Sequence, residues 1–318
     1  MSENSTLKLQ PLAEEPTLTT QDEQALERLH SQNISAVISA PDSQTVRLFV
    51  KEQNSIAQLL SLLENLGVQV LNQATFSVES AGGSATLYEF DVAEKSSLTQ
   101  NAETLGYAEE ALNAVLAADA DDDALNQLVT VLSLPWRTVV VLRAYSRYLA
   151  QLGLTPSVEA IAGYYLENPE VTATLVELFE TGYDPELNLS KDERVAKRAE
   201  IAEQLDKQLE QVYDAEADEF LRAMREVILA TVRTNLYQNK QTLALKMRPT
   251  EISLTPLPRP MWEIWVYSPK VEGTHLRFGM VSRGGLRWSD RPNDFRTEIL
   301  GLVKAQRTKN TVIIPNGS

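Results

Sequence analysis

The period at which apolar residues recur changes along the chain, and each period marks a kind of element. Thr45-Val-Arg-Leu-Phe-Val50 alternates and is rich in β-branched and aromatic residues, which predicts a strand. Ile56, Leu59, Leu60, Leu63 and Leu66 then recur at helical spacing, with Asn54 or Ser55 placed to cap that helix and Gly67 to end it. Val68-Gln-Val70, Thr75-Phe-Ser-Val78 and Thr86-Leu-Tyr-Glu-Phe-Asp-Val92 return to strand patterning, with a turn at Gly82-Gly83. From Ala108 to about Gln241 the spacing is helical throughout. Within it, Pro135 to Tyr148 predicts a buried helix with one basic face. Ser157 and Pro169 suit helix starts, and Gly153 and Gly182 suit stops. Lys191 to Tyr213 is charged nearly all round and predicts an exposed helix. Phe220, Met224, Val227, Ile228 and Thr231 form an apolar stripe running up to Leu236.

A proline-rich stretch then breaks the pattern. Pro256-Leu-Pro-Arg-Pro260, with Pro249 before it, cannot be helical, because the ring fixes φ and removes a backbone donor. Beyond it Met261–Tyr267 and His275–Val281 read as strands joined by the turn-rich segment 268–274. A helix follows, capped by Asp290 or Asn293 with Pro292 in its first turn. Phe295, Ile299, Leu302 and Val303 form its apolar stripe. Val312-Ile-Ile-Pro315 ends the pattern as a short apolar strand. The resulting organisation is α+β and multidomain: a polar tail over 1–34, a small α/β module over 35–95, a helical region over 96–248, and a further α/β domain beginning at 249 and running to 318.

Composition narrows the chemistry. There is no cysteine, so disulfide frameworks and thiolate sites are excluded, and a reducing cytoplasmic setting fits. Two histidines, His30 and His275, lie far apart in sequence, which leaves little material for a zinc site or a serine–histidine triad. No apolar run reaches membrane-spanning length, and residues 1–24 lack the basic start and apolar core of a secretory signal. The net charge of −15 is uneven. Residues 270–318 hold nine Lys and Arg against four Asp and Glu, leaving 20 basic and 40 acidic residues before them. An acidic body with a basic end argues against nucleic-acid binding and fits a site for small anions near residue 318.

That basic end carries the candidate chemistry. Gly284-Gly285 directly after a strand allows backbone to approach a ligand where a β-carbon would clash. Arg283 and Arg287 flank the pair and could each hold a carboxylate through paired donors. Gln306 and Lys309 fall near each other on one face at the end of the following helix. Taken singly, each has a plain structural reading: a turn, a solvated arginine, a lysine complementing a helix dipole.

Taken in order, they resemble the glutamate dehydrogenases, above all their large NAD-specific branch. The likeness lies in Pro258-Arg-Pro-Met-Trp-Glu-Ile-Trp-Val-Tyr-Ser-Pro269, Arg283-Gly-Gly-Leu-Arg-Trp-Ser-Asp-Arg291, Asp294-Phe-Arg-Thr-Glu-Ile-Leu-Gly-Leu-Val-Lys-Ala-Gln306, Lys309-Asn310 and Ile313-Ile-Pro-Asn-Gly-Ser318. Weaker likeness extends through Leu142-Arg-Ala-Tyr-Ser-Arg-Tyr148 and Ala230-Thr-Val-Arg-Thr-Asn235 to Leu63-Glu-Asn-Leu-Gly-Val68, which resembles an ACT-like, ferredoxin-type module.

The resemblance implies oxidative deamination of L-glutamate to 2-oxoglutarate and ammonia, with hydride passing to NAD. By motif position Arg283 stands where a lysine holds the substrate side-chain carboxylate in smaller relatives, Gly284 offers backbone contact, and Gln306 and Lys309 hold the α-carboxylate. Arginine at 283 keeps the charge but changes the geometry, and Asn316 stands where a small apolar residue is expected. The family pattern places its catalytic lysine just past Ser318, and no G-x-G-x-x-G turn between strand and helix is present to cradle NAD. The expectation is an N-terminal portion of a homo-oligomeric enzyme, inactive by itself, with NAD held by a domain absent from this chain. The alternative is a non-catalytic regulatory or amino-acid-binding protein using the ACT-like module.

Overall fold

Alternation in the first third of the chain builds an antiparallel sheet covered on both faces. The computed structural model describes residues 17–29, 34–38, 45–51, 55–80, 83–93, 102–282 and 284–310. The strands and helices of the first third are α1 (Thr20–Arg28), β1 (Ile34–Ile38), β2 (Thr45–Val50), α2 (Ile56–Asn65), β3 (Val70–Ser80), β4 (Gly83–Val92) and α3 (Ala102–Leu116). The sheet runs β1-β2-β4-β3, every pair antiparallel. Strand side chains alternate between faces, so Val46, Leu48 and Val50 with Tyr88 and Phe90 point to the face packed by Leu59, Leu62 and Leu63 of α2. Phe49 and Leu87 point the other way, onto Ala25, Leu26 and Leu29 at α1.

Two features here depart from the reading of the sequence. Residues 20–28, expected within a polar tail, form a helix with a Thr19–Asp22 capping box. Asp22 is buried and accepts from the Arg47 guanidinium at 2.6 Å, which ties this helix to β2. The second departure is β1, whose short Ile-Ser-Ala-Val-Ile run lacks the aromatic residues of its neighbours. It occupies the sheet position that the last strand of a ferredoxin-type unit would fill, although it precedes the unit in sequence. Asn113 of α3 caps its outer side, accepting from the Ala36 N–H at 3.1 Å. The two short strands expected over 68–78 are one continuous β3, and Gly67, at φ 72, ends α2 as expected. Asn54 and Gly82 lie outside the described residues.

The middle region is helical: α4 (Gln127–Val131), α5 (Trp136–Gln151), α6 (Val158–Glu167), α7 (Pro169–Tyr183), α8 (Lys191–Leu209) and α9 (Ala215–Ala230). Ser157 caps α6 through the Ala160 N–H, and Pro169 occupies the first turn of α7. Gly153 follows α5 with φ 103, a conformation that side chains with a β-carbon rarely adopt. Gly153→Ala is therefore expected to cost about 1–2 kcal/mol, read from the urea unfolding midpoint, through backbone strain alone. Open space around the position removes steric overlap as a rival cause. Gly182, by contrast, lies inside α7 and is packed against Arg198. The basic face expected on α5 is not solvated throughout: Arg143 is 2% exposed and bound to Asp123 by Nε and an amino group at 2.8 and 2.7 Å.

The helical pattern was expected to run to Gln241, but α9 stops at Ala230. The β-branched run Thr231-Val-Arg-Thr234 forms β5, and the Thr231 hydroxyl donates back to Val227 at 2.7 Å where the helix ends. β5 pairs with β6 (Leu243–Met247), then β7 (Trp262–Ser268) and β8 (Val271–Arg277), giving a second antiparallel sheet in sequential order. This sheet therefore starts ahead of the proline-rich segment. Buried and half-buried residues alternate along β7, with Glu263, Trp265 and Tyr267 inward against α5.

The acidic run at 119–123, which reads as a solvated loop or a helix start, does start a helical turn, with Asp123 capping Ala124–Asn126, and is also a junction. Asp122 accepts from Asn65 at the end of α2 at 2.9 Å, Asp123 holds Arg143 of α5, and Asp121 accepts from the Tyr267 hydroxyl of β7. The Thr130 hydroxyl of α4 adds a 2.6 Å bond to the Leu66 carbonyl.

Candidate functional site

The helix that carries Gln306 and Lys309 is α10 (Phe295–Asn310). Its position follows from a buried polar network that sequence reading missed. Glu263, on the inward face of β7, and Arg296, in the first turn of α10, are both 0% exposed. The guanidinium donates to both carboxylate oxygens, at 2.8 and 2.7 Å, in the paired geometry that makes arginine–carboxylate bonds strong. Two further donors complete the acid: Thr274 of β8 at 2.8 Å and the Tyr148 hydroxyl of α5 at 3.1 Å. Burial and the neighbouring Glu263 carboxylate raise the Tyr148 phenol well above its usual range, so it stays a donor at any physiological pH.

Gln151, at the end of α5, bridges to the same helix. Its amide donates to the Pro292 carbonyl at 2.7 Å and accepts from the Arg296 backbone N–H at 3.1 Å. Beside it Trp265 stacks on Phe295 with centroids 5.7 Å apart and planes 4° from parallel. The start of α10 is thus fixed to α5 and the second sheet by charge, amide and aromatic contacts. This corrects two expectations. Residues 292–294 form a turn ahead of the helix, and Asp294 is held by Arg291. The buried face of α10 is Arg296, Leu300 and Val303, with Phe295 and Ile299 half-buried and Leu302 exposed, because the Glu263 bond rotates Arg296 inward.

The segment between β8 and α10 lies open. Gly284 and Gly285 are exposed, and so are Met280, Val281, Leu286 and Trp288, the last two at 106% and 84%. An apolar cluster of that kind on a surface marks a place where something else packs. Glu298 of α10 draws the segment in: it accepts from the Arg287 guanidinium at 2.5 Å and from the Ser289 hydroxyl at 2.6 Å. The Ser289 bond and then the Arg287 charge hold its carboxyl below the ordinary range. Arg287, expected as a free carboxylate-holding group, is therefore engaged within the chain.

Gly284 is placed at the exposed rim, and Gln306 and Lys309 lie within the last turns of α10. Arg283 and residues 311–318, including the expected strand at 312–315 and Asn316, lie outside the described residues, as do the side chains of Gln306 and Lys309. Among the described residues no cluster of His, Asp and Glu could hold a metal ion, and no helix is long and apolar enough to cross a membrane. Glu263 could have been found from sequence: it shares a strand face with Trp265 and Tyr267, where a carboxylate needs a buried partner.

Three family models match successive parts of the chain. A glutamate dehydrogenase ACT3 domain matches residues 33–105, a glutamate dehydrogenase helical motif 3 matches 120–185, and a bacterial NAD-glutamate dehydrogenase catalytic domain matches 204–318. The last begins ahead of β5, in keeping with the extent of the second sheet. Curated relatives named NAD-specific glutamate dehydrogenase occur in Halomonas elongata, 41% identical over 270 residues, and in Mycobacterium tuberculosis, 41% identical over 278. A third, from Pseudomonas aeruginosa, is 39% identical over 272 residues. Each alignment takes in 83% of this chain but only 16–17% of the relative, so the chain spans about one sixth of the length of these proteins.

Proposed function

The chain belongs to the bacterial NAD-specific glutamate dehydrogenases, and from that premise we propose that it supplies one wall of a glutamate site. The reaction is oxidative deamination of L-glutamate to 2-oxoglutarate and ammonia, with NAD as hydride acceptor. Arg283 takes the side-chain carboxylate, the Gly284 backbone lets substrate lie close, and Gln306 and Lys309 take the α-carboxylate. The observation that carries this reading is the anchoring of α10. A helix fixed at its first turn by the Glu263–Arg296 pair presents its last turn, with Gln306 and Lys309, at a set distance from that anchor. Prepaid positioning of this kind is what a substrate clamp requires.

The described residues do not fit the dinucleotide. Both sheets are wholly antiparallel, with no parallel strand–helix–strand unit and no G-x-G-x-x-G turn leading from strand to helix. No step through NAD is assigned to residues of this chain. A homo-oligomeric protein in a cytoplasmic setting completes the reading.

The test is glutamate-dependent NAD reduction by the protein expressed from its native gene. Turnover of L-glutamate well above that of other amino acids is expected. Absence of glutamate turnover, with 2-oxoglutarate neither binding nor being aminated, overturns the proposal.

A further inference from the structure

A cavity of about 190 Å³ lies where the start of α5 meets the β5–β6 connection and the β7–β8 turn, away from α10. Its walls are apolar at Trp136, Val140 and Pro269, and cationic at Arg137 and Lys240. The Arg137 guanidinium rests 4.6 Å from the centre of the Trp136 ring, an arrangement that holds an arginine flat while leaving its donor edge free. Neither Arg137 nor Lys240 forms an ion pair among the described residues. Asp119 shares the lining, yet it pairs with neither. That is unexpected in a stretch where 40 acidic residues outnumber 20 basic ones before residue 270. Two cations against one carboxylate leave the lining net positive, which favours an anion there.

We propose that this cavity binds a small dicarboxylate anion, one carboxylate on the Arg137 fork and the other on the Lys240 ammonium. The charge of the lining points there. A planar guanidinium and a point-charge ammonium in one lining suit two carboxylates better than one compact anion. The Asn235 side chain is spent on the lip, donating to the Thr242 carbonyl at 2.9 Å and accepting from the Ala244 N–H at 2.7 Å, so the 235–244 connection is braced without a ligand. Tyr267 also lines the cavity, on the same strand face as Glu263. This site is separate from the proposed glutamate site and does not depend on it.

The test is calorimetry on the 318-residue chain at low salt with succinate, inorganic phosphate and acetate, each raised to on the order of 10 mM. Succinate is expected to bind one to one and acetate much more weakly. Arg137→Gln and Lys240→Gln should each weaken succinate about tenfold or more, the loss of one charge-assisted bond. Neither cation holds an ion pair, so unliganded Lys240→Gln should keep the parent unfolding midpoint and Arg137→Gln should lose only its Trp136 ring contact. Lys309→Ala should leave succinate binding intact, which separates this site from the glutamate clamp. No succinate binding, or unchanged binding in both glutamine variants, overturns the proposal. Phosphate binding without succinate binding overturns the dicarboxylate assignment.

Discussion

Arg296→Met is expected to loosen α10 from the second sheet at a cost of about 3–5 kcal/mol, the usual result of leaving one charge of a buried pair without its partner. The magnitude follows from how completely the pair is enclosed. Both side chains are 0% exposed, and in the variant the Glu263 carboxylate would keep only the Thr274 and Tyr148 hydroxyls. Glu263→Gln should cost less than Arg296→Met, since an amide keeps one acceptor for the guanidinium. Hydrogen exchange of the α10 amides, read beside urea unfolding, localises the loss, with exchange rising in α10 before it rises in α5. The paired change Glu263→Met with Arg296→Leu should recover much of the stability, because neutral side chains of similar volume carry no desolvation cost. Were Arg296→Met to leave α10 exchange unchanged, the anchoring role would have to be abandoned.

Lys309→Ala is expected to lower kcat/KM for L-glutamate about 10- to 100-fold in the protein expressed from its native gene, the worth of one charge-assisted bond to a carboxylate. A bond to the α-carboxylate exists before and during the reaction, so most of the loss should appear as a higher KM. Lys309→Arg should restore part of it. The unfolding midpoint should not move, since the contacts fixing α10 involve Arg296, Leu300 and Val303, six or more residues ahead. An alanine variant with the parent KM and kcat would remove Lys309 from the site.

What the sequence revealed, and what it hid, follows from the range of the interactions. β2, α2, β4 and α9 were legible because a period of two or 3.6 is a local signal that burial enforces. β5 was hidden because Thr231 extends the apolar stripe of α9 by one more position while its branched neighbours have already left the helix. Arg296 and Arg143 were hidden for a different reason. A charged residue reads as surface until its partner is known, and these partners lie 33 and 20 residues away. Gly284, Gln306 and Lys309 are proposed from the order of their motif alone, whereas the network that fixes the start of α10 is distributed over α5, β7 and β8.

The aspartates at 121, 122 and 123 answer to three different regions: the second sheet, the first module and helix α5. Neighbours in sequence, they are not interchangeable in space. A permuted run with the same residues and the same total charge would break all three contacts. Homologues that drift here should therefore change Asn65, Arg143 or Tyr267 in step, so that geometry rather than acidity is what inheritance has to preserve.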